Sequence, residues 1–266
     1  MKNRWKTAAV ALVLLAGMSA MATPIIDSAV LNLRLWNDDP DSVLSSGNLY
    51  PGSIFIQDLQ LDGDGQGGEY ANRHNFRLSD NGGISAANFM NGDGFTFFSD
   101  VTISGTGNGE GGLSLSPWWS QNHDGIFMLK TTDGEIACFG GRLPFYSFTV
   151  NQGLTYTKGE TVRLGLVYDP HSLTQQDPGT IEYWLYKNST WYTSGLIPFD
   201  QGNPAEGYGE YGILDFAQVG GLFQPYIVVG DPTNGLRIDY GNMVFTPEPA
   251  SLALLCVAGL LALRRR

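Results

Sequence analysis

The sequence predicts an all-β protein built as one sandwich or barrel of many short strands. Three observations lead there. Glycine supplies 35 of the 266 residues, about twice its usual share of ~7%. Aromatic residues make up 12% and charged residues only 15%, whereas a typical chain is ~25% charged and a disordered one is poor in aromatics. Finally, short apolar or alternating runs recur between Gly-containing pairs, and no long stretch between the two chain ends shows a 3.6-residue period.

Taken in order, the expected strands are Ala29–Trp36, Ser53–Leu61, Phe95–Ile103, Gly125–Thr131, Glu135–Phe139, Val162–Tyr168, Thr180–Tyr186, Tyr226–Val229 and Asn242–Phe245. Each is rich in β-branched or aromatic residues or alternates with period two. Asn81-Gly82-Gly83, Asn91-Gly92, Asp133-Gly134 and Asn234-Gly235 take positive φ readily and close hairpins. Thr131-Thr132-Asp133-Gly134-Glu135 is the clearest of these turns. Cys138 lies in the alternating run Glu135–Phe139 with no general base beside it in sequence, and is expected to be a buried structural thiol. Its only fellow is Cys256, so the body must be stable without an internal disulfide. In Tyr183-Trp184-Leu185-Tyr186, alternation separates Trp184 from Tyr183 and Leu185. Trp184 is expected in the core, the common fate of a strand tryptophan.

Charge narrows the function. The chain has 15 basic and 26 acidic residues, a formal charge of −11. Six of the basic residues (Lys2, Arg4, Lys6, Arg264, Arg265, Arg266) sit in the two ends with one acidic residue, Glu248, so the middle is more acidic still. Nucleic-acid affinity comes mostly from Lys and Arg neutralising phosphates, and a peripheral membrane binder wants a basic face. Neither suits this body, and no nucleic acid is expected as a partner.

The two ends read as addresses. Met1–Ala22 combines a basic opening, an apolar run from Ala8 to Met18 and the small-x-small sequence Ala20-Met21-Ala22, the pattern that signal peptidase cleaves. At the other end, Thr246-Pro247-Glu248-Pro249 precedes an apolar run, Ala250–Leu263, and the chain finishes on Arg264-Arg265-Arg266. The prolines on either side of Glu248 favour an extended tripeptide. The apolar run predicts a short membrane helix with its cationic end in the cytoplasm, suited to temporary anchoring. These residues resemble the PEP-CTERM sorting signal of bacterial envelope and biofilm proteins: Pro247, Glu248 and Pro249, a short hydrophobic helix, then Arg264, Arg265 and Arg266. The resemblance implies processing near the tripeptide by an exosortase-type enzyme, after transient inner-membrane anchoring. Delivery to the cell surface or extracellular matrix would follow. The expected organisation is a signal peptide over 1–22, a β-sandwich over 23–245 and a sorting signal over 246–266.

Several stretches of the body share a family rhythm: Phe95–Asp100, Gly111–Ser116, Gly134–Gly141, Tyr156–Val162 and Asp239–Phe245. Together they resemble the concanavalin A-like lectin/glucanase jelly roll, as in laminin-G-type modules of secreted bacterial proteins. That implies an antiparallel jelly-roll sandwich of two sheets, flanked here by the terminal targeting helices, with a concave sheet of the kind that holds glycans.

Three constellations bear on chemistry. Glycoside hydrolysis needs two carboxylates on one face, and no Glu-x-Asp-x-Glu run is present. Nor is there an H-E-x-x-H, a G-x-S-x-G or a Walker loop, so no catalytic residue is assigned and the chain is not expected to be an enzyme. Asp58-x-Gln60-x-Asp62-Gly63-Asp64-x₄-Glu69 nearly fits a calcium loop, which makes Asp58, Asp62, Asp64 and Glu69 candidate calcium ligands. The other reading is a plain Gly/Asp hairpin loop, because the flank Ile54-Phe55-Ile56 is strand-like. No other cofactor is indicated. Lastly, Pro117-Trp118-Trp119-Ser120-Gln121-Asn122-His123-Asp124 places two indoles beside amide, imidazole and carboxylate groups. Aromatic faces for pyranose C–H surfaces and polar groups for hydroxyls are what a glycan site needs, so Trp118, Trp119, Asn122, His123 and Asp124 are the candidate carbohydrate contacts.

The leading expectation is therefore an exported, noncatalytic surface or matrix protein that associates with exopolysaccharide or other glycans. A structural surface protein without a sugar site is one alternative. A polysaccharide-cleaving enzyme with a non-standard site is the other.

Overall fold

The computed structural model of the protein describes residues 23–37, 39–61, 71–199, 211–228 and 230–248. Fourteen strands run through them: β1 (Ser28–Asn37), β2 (Val43–Leu49), β3 (Ser53–Leu59), β4 (Asn72–Ser79), β5 (Phe95–Gly105), β6 (Gly109–Ser116), β7 (Ile126–Lys130), β8 (Ile136–Phe139), β9 (Tyr146–Ser147), β10 (Thr161–Asp169), β11 (Thr180–Lys187), β12 (Thr190–Pro198), β13 (Gln218–Pro225) and β14 (Gly235–Pro247). One short helix, α1 (Phe148–Gln152), follows β9. The Ser147 hydroxyl caps it by accepting from the Val150 amide at 3.1 Å, and Gly153 ends it in the left-handed region at φ 68°.

The strands make two seven-stranded antiparallel sheets, ordered β1-β4-β13-β6-β7-β8-β9 and β12-β11-β10-β5-β14-β3-β2. This is the expected jelly-roll sandwich. Both sheets mix hairpins of consecutive strands, such as β6-β7-β8-β9 and β10-β11-β12, with pairs distant in sequence, such as β4-β13, β13-β6 and β5-β14. The turn at Asp133-Gly134 joins β7 to β8, with Gly134 at φ 76°. Tyr226, expected to open a strand, forms only an isolated bridge to Ala71.

The core lies between the sheets. Phe76 and Phe223 from one sheet and Phe97, Leu164, Tyr183 and Tyr240 from the other are all fully buried. Phe127 stacks on Phe148 of α1 with ring centroids 5.5 Å apart. Burying each such side chain contributes about 1.5–3 kcal/mol. Cys138 is buried as expected, and burial pushes its thiol well above the ordinary range. Trp184 corrects an expectation: Tyr183 and Leu185 fill the core, and alternation turns Trp184 to the outside of its sheet.

A polar knot ties the sheets together at one end. Arg34 interrupts β1 at φ 55°, where the register with β4 shifts. Its guanidinium donates to the carbonyls of Asp39 at 3.1 Å and Ser42 at 2.6 Å. Its amide donates to Nδ1 of the buried His74 at 3.0 Å. An accepting Nδ1 leaves the proton on Nε2, which donates to Oδ2 of Asp58 across the sandwich at 3.0 Å. The Asn72 amide donates to the same oxygen at 2.7 Å. Burial works to raise the Asp58 pKa, but hydrogen bonds from His74, Ser42 and Asn72, with the attraction of His74, outweigh it and hold the carboxyl below the ordinary carboxylate value.

Asp58 thus points between the sheets. The other candidate calcium ligands, Asp62, Asp64 and Glu69, lie outside the described residues. Among the described residues, no group of three or more His, Cys, Asp or Glu side chains is placed to hold a metal ion. Residues 1–22, with the signal peptide, and Pro249–Arg266, with the apolar run and arginine tail of the sorting signal, also lie outside the description. No described helix is long and apolar enough to cross a membrane. Pro247 and Glu248 are described. Pro247 pairs with Phe95 at the end of β14, and the Glu248 amide donates to the Gly94 carbonyl at 2.9 Å.

Candidate functional site

The outer face of the first sheet is built by three strands, β4, β13 and β6, that carry few apolar residues. In β4, His74, Phe76 and Leu78 point inward, so Arg73, Asn75 and Arg77 point outward together. Across β13, Gly220 lies opposite Arg77 and Leu222 opposite Asn75. Across β6, Ser114 faces Gly220 and Glu110 faces Gln224. Ile126, Met128, Ala137 and Leu222 form a small apolar patch farther along the same face.

Arg77 organises this surface. Its side chain crosses β13 at Gly220 and reaches β6, where it donates to the hydroxyls of Ser114 and, at 3.1 Å, Ser116. A Cβ on Gly220 would lie 2.0 Å from the Phe76 carbonyl oxygen and 2.9 Å from Arg77 Cα. Glycine therefore permits both the close pairing of β13 with β4 and the passage of the guanidinium. Gly220→Ala is expected to cost about 1–3 kcal/mol and lower the thermal midpoint by roughly 5 °C, checked by calorimetry.

The loop between β6 and β7 folds over the arginines. It begins at Pro117, makes a 3-10 turn over Trp118–Ser120 and returns through Gly125 at φ 83°, where a Cβ would lie 1.8 Å from the Leu115 carbonyl. Three consecutive main-chain oxygens take up the outward donors of β4: Gln121 O from Arg77 Nη2, Asn122 O from Asn75 Nδ2 at 3.5 Å, and His123 O from Arg73 Nη1 at 2.8 Å. The turn also holds Trp118 edge-on to Trp119, with centroids 5.6 Å apart, and leaves the two indoles 49% and 38% exposed. All five expected carbohydrate contacts, Trp118, Trp119, Asn122, His123 and Asp124, therefore stand on one loop at the edge of the arginine surface.

The electrostatics are unusual for so acidic a chain. Arg77 is fully buried, its hydrogen bonds go to neutral oxygens, and its Nε has no partner. Burial, against the attraction of Tyr240, pushes its guanidinium down to about 9. Burial together with Arg73 and Arg77 lowers the His123 pKa despite Asp124, so its imidazole is neutral at pH 7. Arg73 also donates to Gln224 at 2.7 Å and lies over the Trp36 ring at 5.8 Å. Beyond Gln224, the Tyr226 hydroxyl donates to Glu110 at 2.8 Å, and burial and the Glu110 charge raise its pKa well above the ordinary phenol. The surface thus combines a desolvated cation, a neutral imidazole and a neutral phenol. Of the described strand residues on this face, Glu110 is the one carboxylate, so the facing carboxylate pair of a glycoside hydrolase is not built by these strands.

The sequence reading found the loop and missed the strand residues under it. The available signal was Arg73-x-Asn75-x-Arg77, a period-two comb of donors in a chain with few basic residues.

No protein-family model matches the chain, and no curated protein matches it in sequence. Solved structures do share its fold. The chain is similar to the alginate lyase AlgAT5 from Polysaccharide Lyase family 7, with 11% identity, coverage of 83% of this chain and 94% of that one, and a TM-score of 0.48. It is similar to the alginate lyase from Klebsiella pneumoniae, with 11% identity, coverage of 78% and 84%, and a TM-score of 0.44. It also resembles arcelin-5, a lectin-like defense protein from Phaseolus vulgaris, with 12% identity, coverage of 85% and 95%, and a TM-score of 0.38. At these identities the likeness is one of fold. Against the expectation of a noncatalytic glycan-associating protein that is no enzyme, alginate lyases recur among these similar sandwiches.

Proposed function

We propose that the protein is a polysaccharide-cleaving enzyme acting on a uronate-containing polymer by β-elimination at the arginine surface of the first sheet. The observation that carries this reading is the outward row of β4, where the half-buried Arg73 stands at the surface and Arg77, buried behind it and bonded to neutral oxygens in the contacts described above, adds its charge, so that this face of an acidic chain is complementary to an anionic ligand. Elimination draws on the groups gathered here. A cation at the uronate carboxylate acidifies the adjacent C5–H bond and stabilises the charge that develops when it breaks. Neutral His123 takes the C5 proton, the freed electron pair forms the C4=C5 double bond, and the C4–O bond breaks. Tyr226, held protonated by burial and by Glu110, supplies the proton to the leaving oxygen.

The test is release of ultraviolet-absorbing unsaturated oligosaccharides from a panel of polymers. Alginate, the polymer in the lyases' names, is assayed first, beside neutral glucans. The expected result is absorbance from uronate polymers alone, rising with pH through the His123 titration. That acid limb should lie below the ordinary His value of about 6.5, because the base must be unprotonated. New reducing ends without ultraviolet absorbance would mean hydrolysis and overturn the reading, as would no release from any uronate polymer.

For location we propose export by the signal peptide over 1–22 and PEP-CTERM-type sorting by an exosortase, putting the enzyme at the cell surface or in the matrix, where its polymer would be found.

A further inference from the structure

The outer face of the second sheet, opposite the arginine surface, carries an aromatic stripe. Val244, Phe98, Gly165, Trp184 and Thr193 lie opposite one another across β14, β5, β10, β11 and β12. At about 4.8 Å per strand the row is roughly 19 Å long. Tyr186 and Trp191 pair in the next row. Phe98 leans across β10 because residue 165 is glycine: a Cβ there would sit 2.0 Å from the Phe98 ring. Trp191 stands edge-on to both Phe98 and Trp184, at 5.8 and 5.9 Å, and 4.9 Å from Tyr186, so the rings hold one another in place. Trp191 remains 47% exposed and Tyr186 37%.

We infer that this stripe is a second, noncatalytic site that binds a neutral polysaccharide chain. Its shape and borders select that occupant. A protein partner would favour a broad apolar patch, whereas this one is narrow and bordered by hydrogen-bonding groups. On one side Arg163 lies over Phe98 at 5.7 Å and donates to Asp100 at 2.8 Å, and the Asn242 amide donates to the same carboxylate at 2.7 Å. On the other, Thr193 donates to Glu182 at 2.5 Å. Aromatic rings flanked by oriented hydroxyl, amide and carboxylate groups match the C–H faces and hydroxyls of pyranoses. The border holds one cation and two carboxylates, so it offers an anionic polymer no net attraction, in contrast to the arginine surface behind it. One molecule would thus hold a neutral polymer on one face while the opposite face acts on a charged one.

The experiment is affinity electrophoresis of the full chain in gels cast with a soluble β-glucan, a galactomannan or alginate, comparing the native protein with Trp191→Ala, Tyr186→Ala and Arg77→Met. At least one neutral polymer should retard the native protein, Trp191→Ala should weaken that retardation about tenfold, and Arg77→Met should leave it unchanged. Uronate cleavage by Trp191→Ala should match that of the native protein, which separates this site from the arginine surface. If Trp191→Ala also lowers the thermal midpoint, Tyr186→Ala supplies the comparison, because that ring lies at the margin of the cluster. Four results would overturn the inference: no retardation by either neutral polymer, retardation indifferent to both aromatic variants, loss of neutral-polymer retardation in Arg77→Met, or concentration-dependent self-association that Trp191→Ala removes.

Discussion

Arg77→Met is expected to abolish uronate cleavage, by 100-fold or more (about 2.7 kcal/mol), while the thermal midpoint stays the same or rises. The two effects have one origin. The guanidinium is fully buried, hydrogen-bonded to neutral oxygens and unpartnered at Nε, so the folded protein bears its desolvation without the charge of a ligand to offset it. Methionine fills much of the same corridor over Gly220 without a charge. Ser116 keeps a partner, because its hydroxyl already donates to the Asp124 carbonyl. Arg77→Lys should restore little activity, since a compact ammonium cannot reproduce the fork that spans Ser114, Ser116 and the Gln121 carbonyl. Assays on uronate polymer beside calorimetry decide the matter. Cleavage within a few-fold of the native protein would remove Arg77 from the reaction, and a collapse in stability would make it a structural residue.

Asp58→Ala is expected to destabilise the protein by about 3 kcal/mol or more. The substitution leaves the Nε2 proton of His74 and an amide proton of Asn72 without acceptors between the sheets, and each buried orphan costs about 1–3 kcal/mol. The same contacts predict an acid limb. With the Asp58 carboxyl held below the ordinary Asp value of about 3.9, its contribution is fully present above that value. It is lost as pH falls through the depressed folded-state value, because the unfolded chain binds the proton first. Asp58→Asn should flatten that limb. Denaturant unfolding of native and variant protein between pH 3 and pH 7 measures this, and identical limbs would show that other carboxylates govern acid unfolding.

Legibility in the sequence followed burial. Strands with one apolar face, such as β5 (Phe95–Gly105) and β11 (Thr180–Lys187), alternate and were read with nearly their observed bounds. The strands that build the arginine surface gave a weaker signal, their few apolar residues set among polar ones and glycine. In β4, β6 and β13 almost every residue on both faces is buried, and apart from Glu110 and Leu222 the outward positions are Arg, Asn, Ser, Gly and Gln. Such strands read as polar or Gly-rich loop, although Gly111–Ser116 in β6 carried part of the family rhythm. Trp184 failed differently: alternation separated it from Tyr183 correctly, but alternation cannot say which of two faces is the inside.

The sequence by itself determined the class, a β-sandwich, and the turn at Asp133-Gly134, because those depend on local φ preference and the period of side chains along one strand. It also determined that Trp118 to Asp124 share a loop, since they are contiguous. Only the tertiary structure decided what that loop rests on. Arg73 and Arg77 meet the loop carbonyls from 50 and 44 residues away, and Arg77 meets Ser114 only because β13 (Gln218–Pro225) inserts between β4 and β6. That insertion is a choice of strand order among distant segments, made by the fit of two whole faces against one core. No window of local sequence contains it.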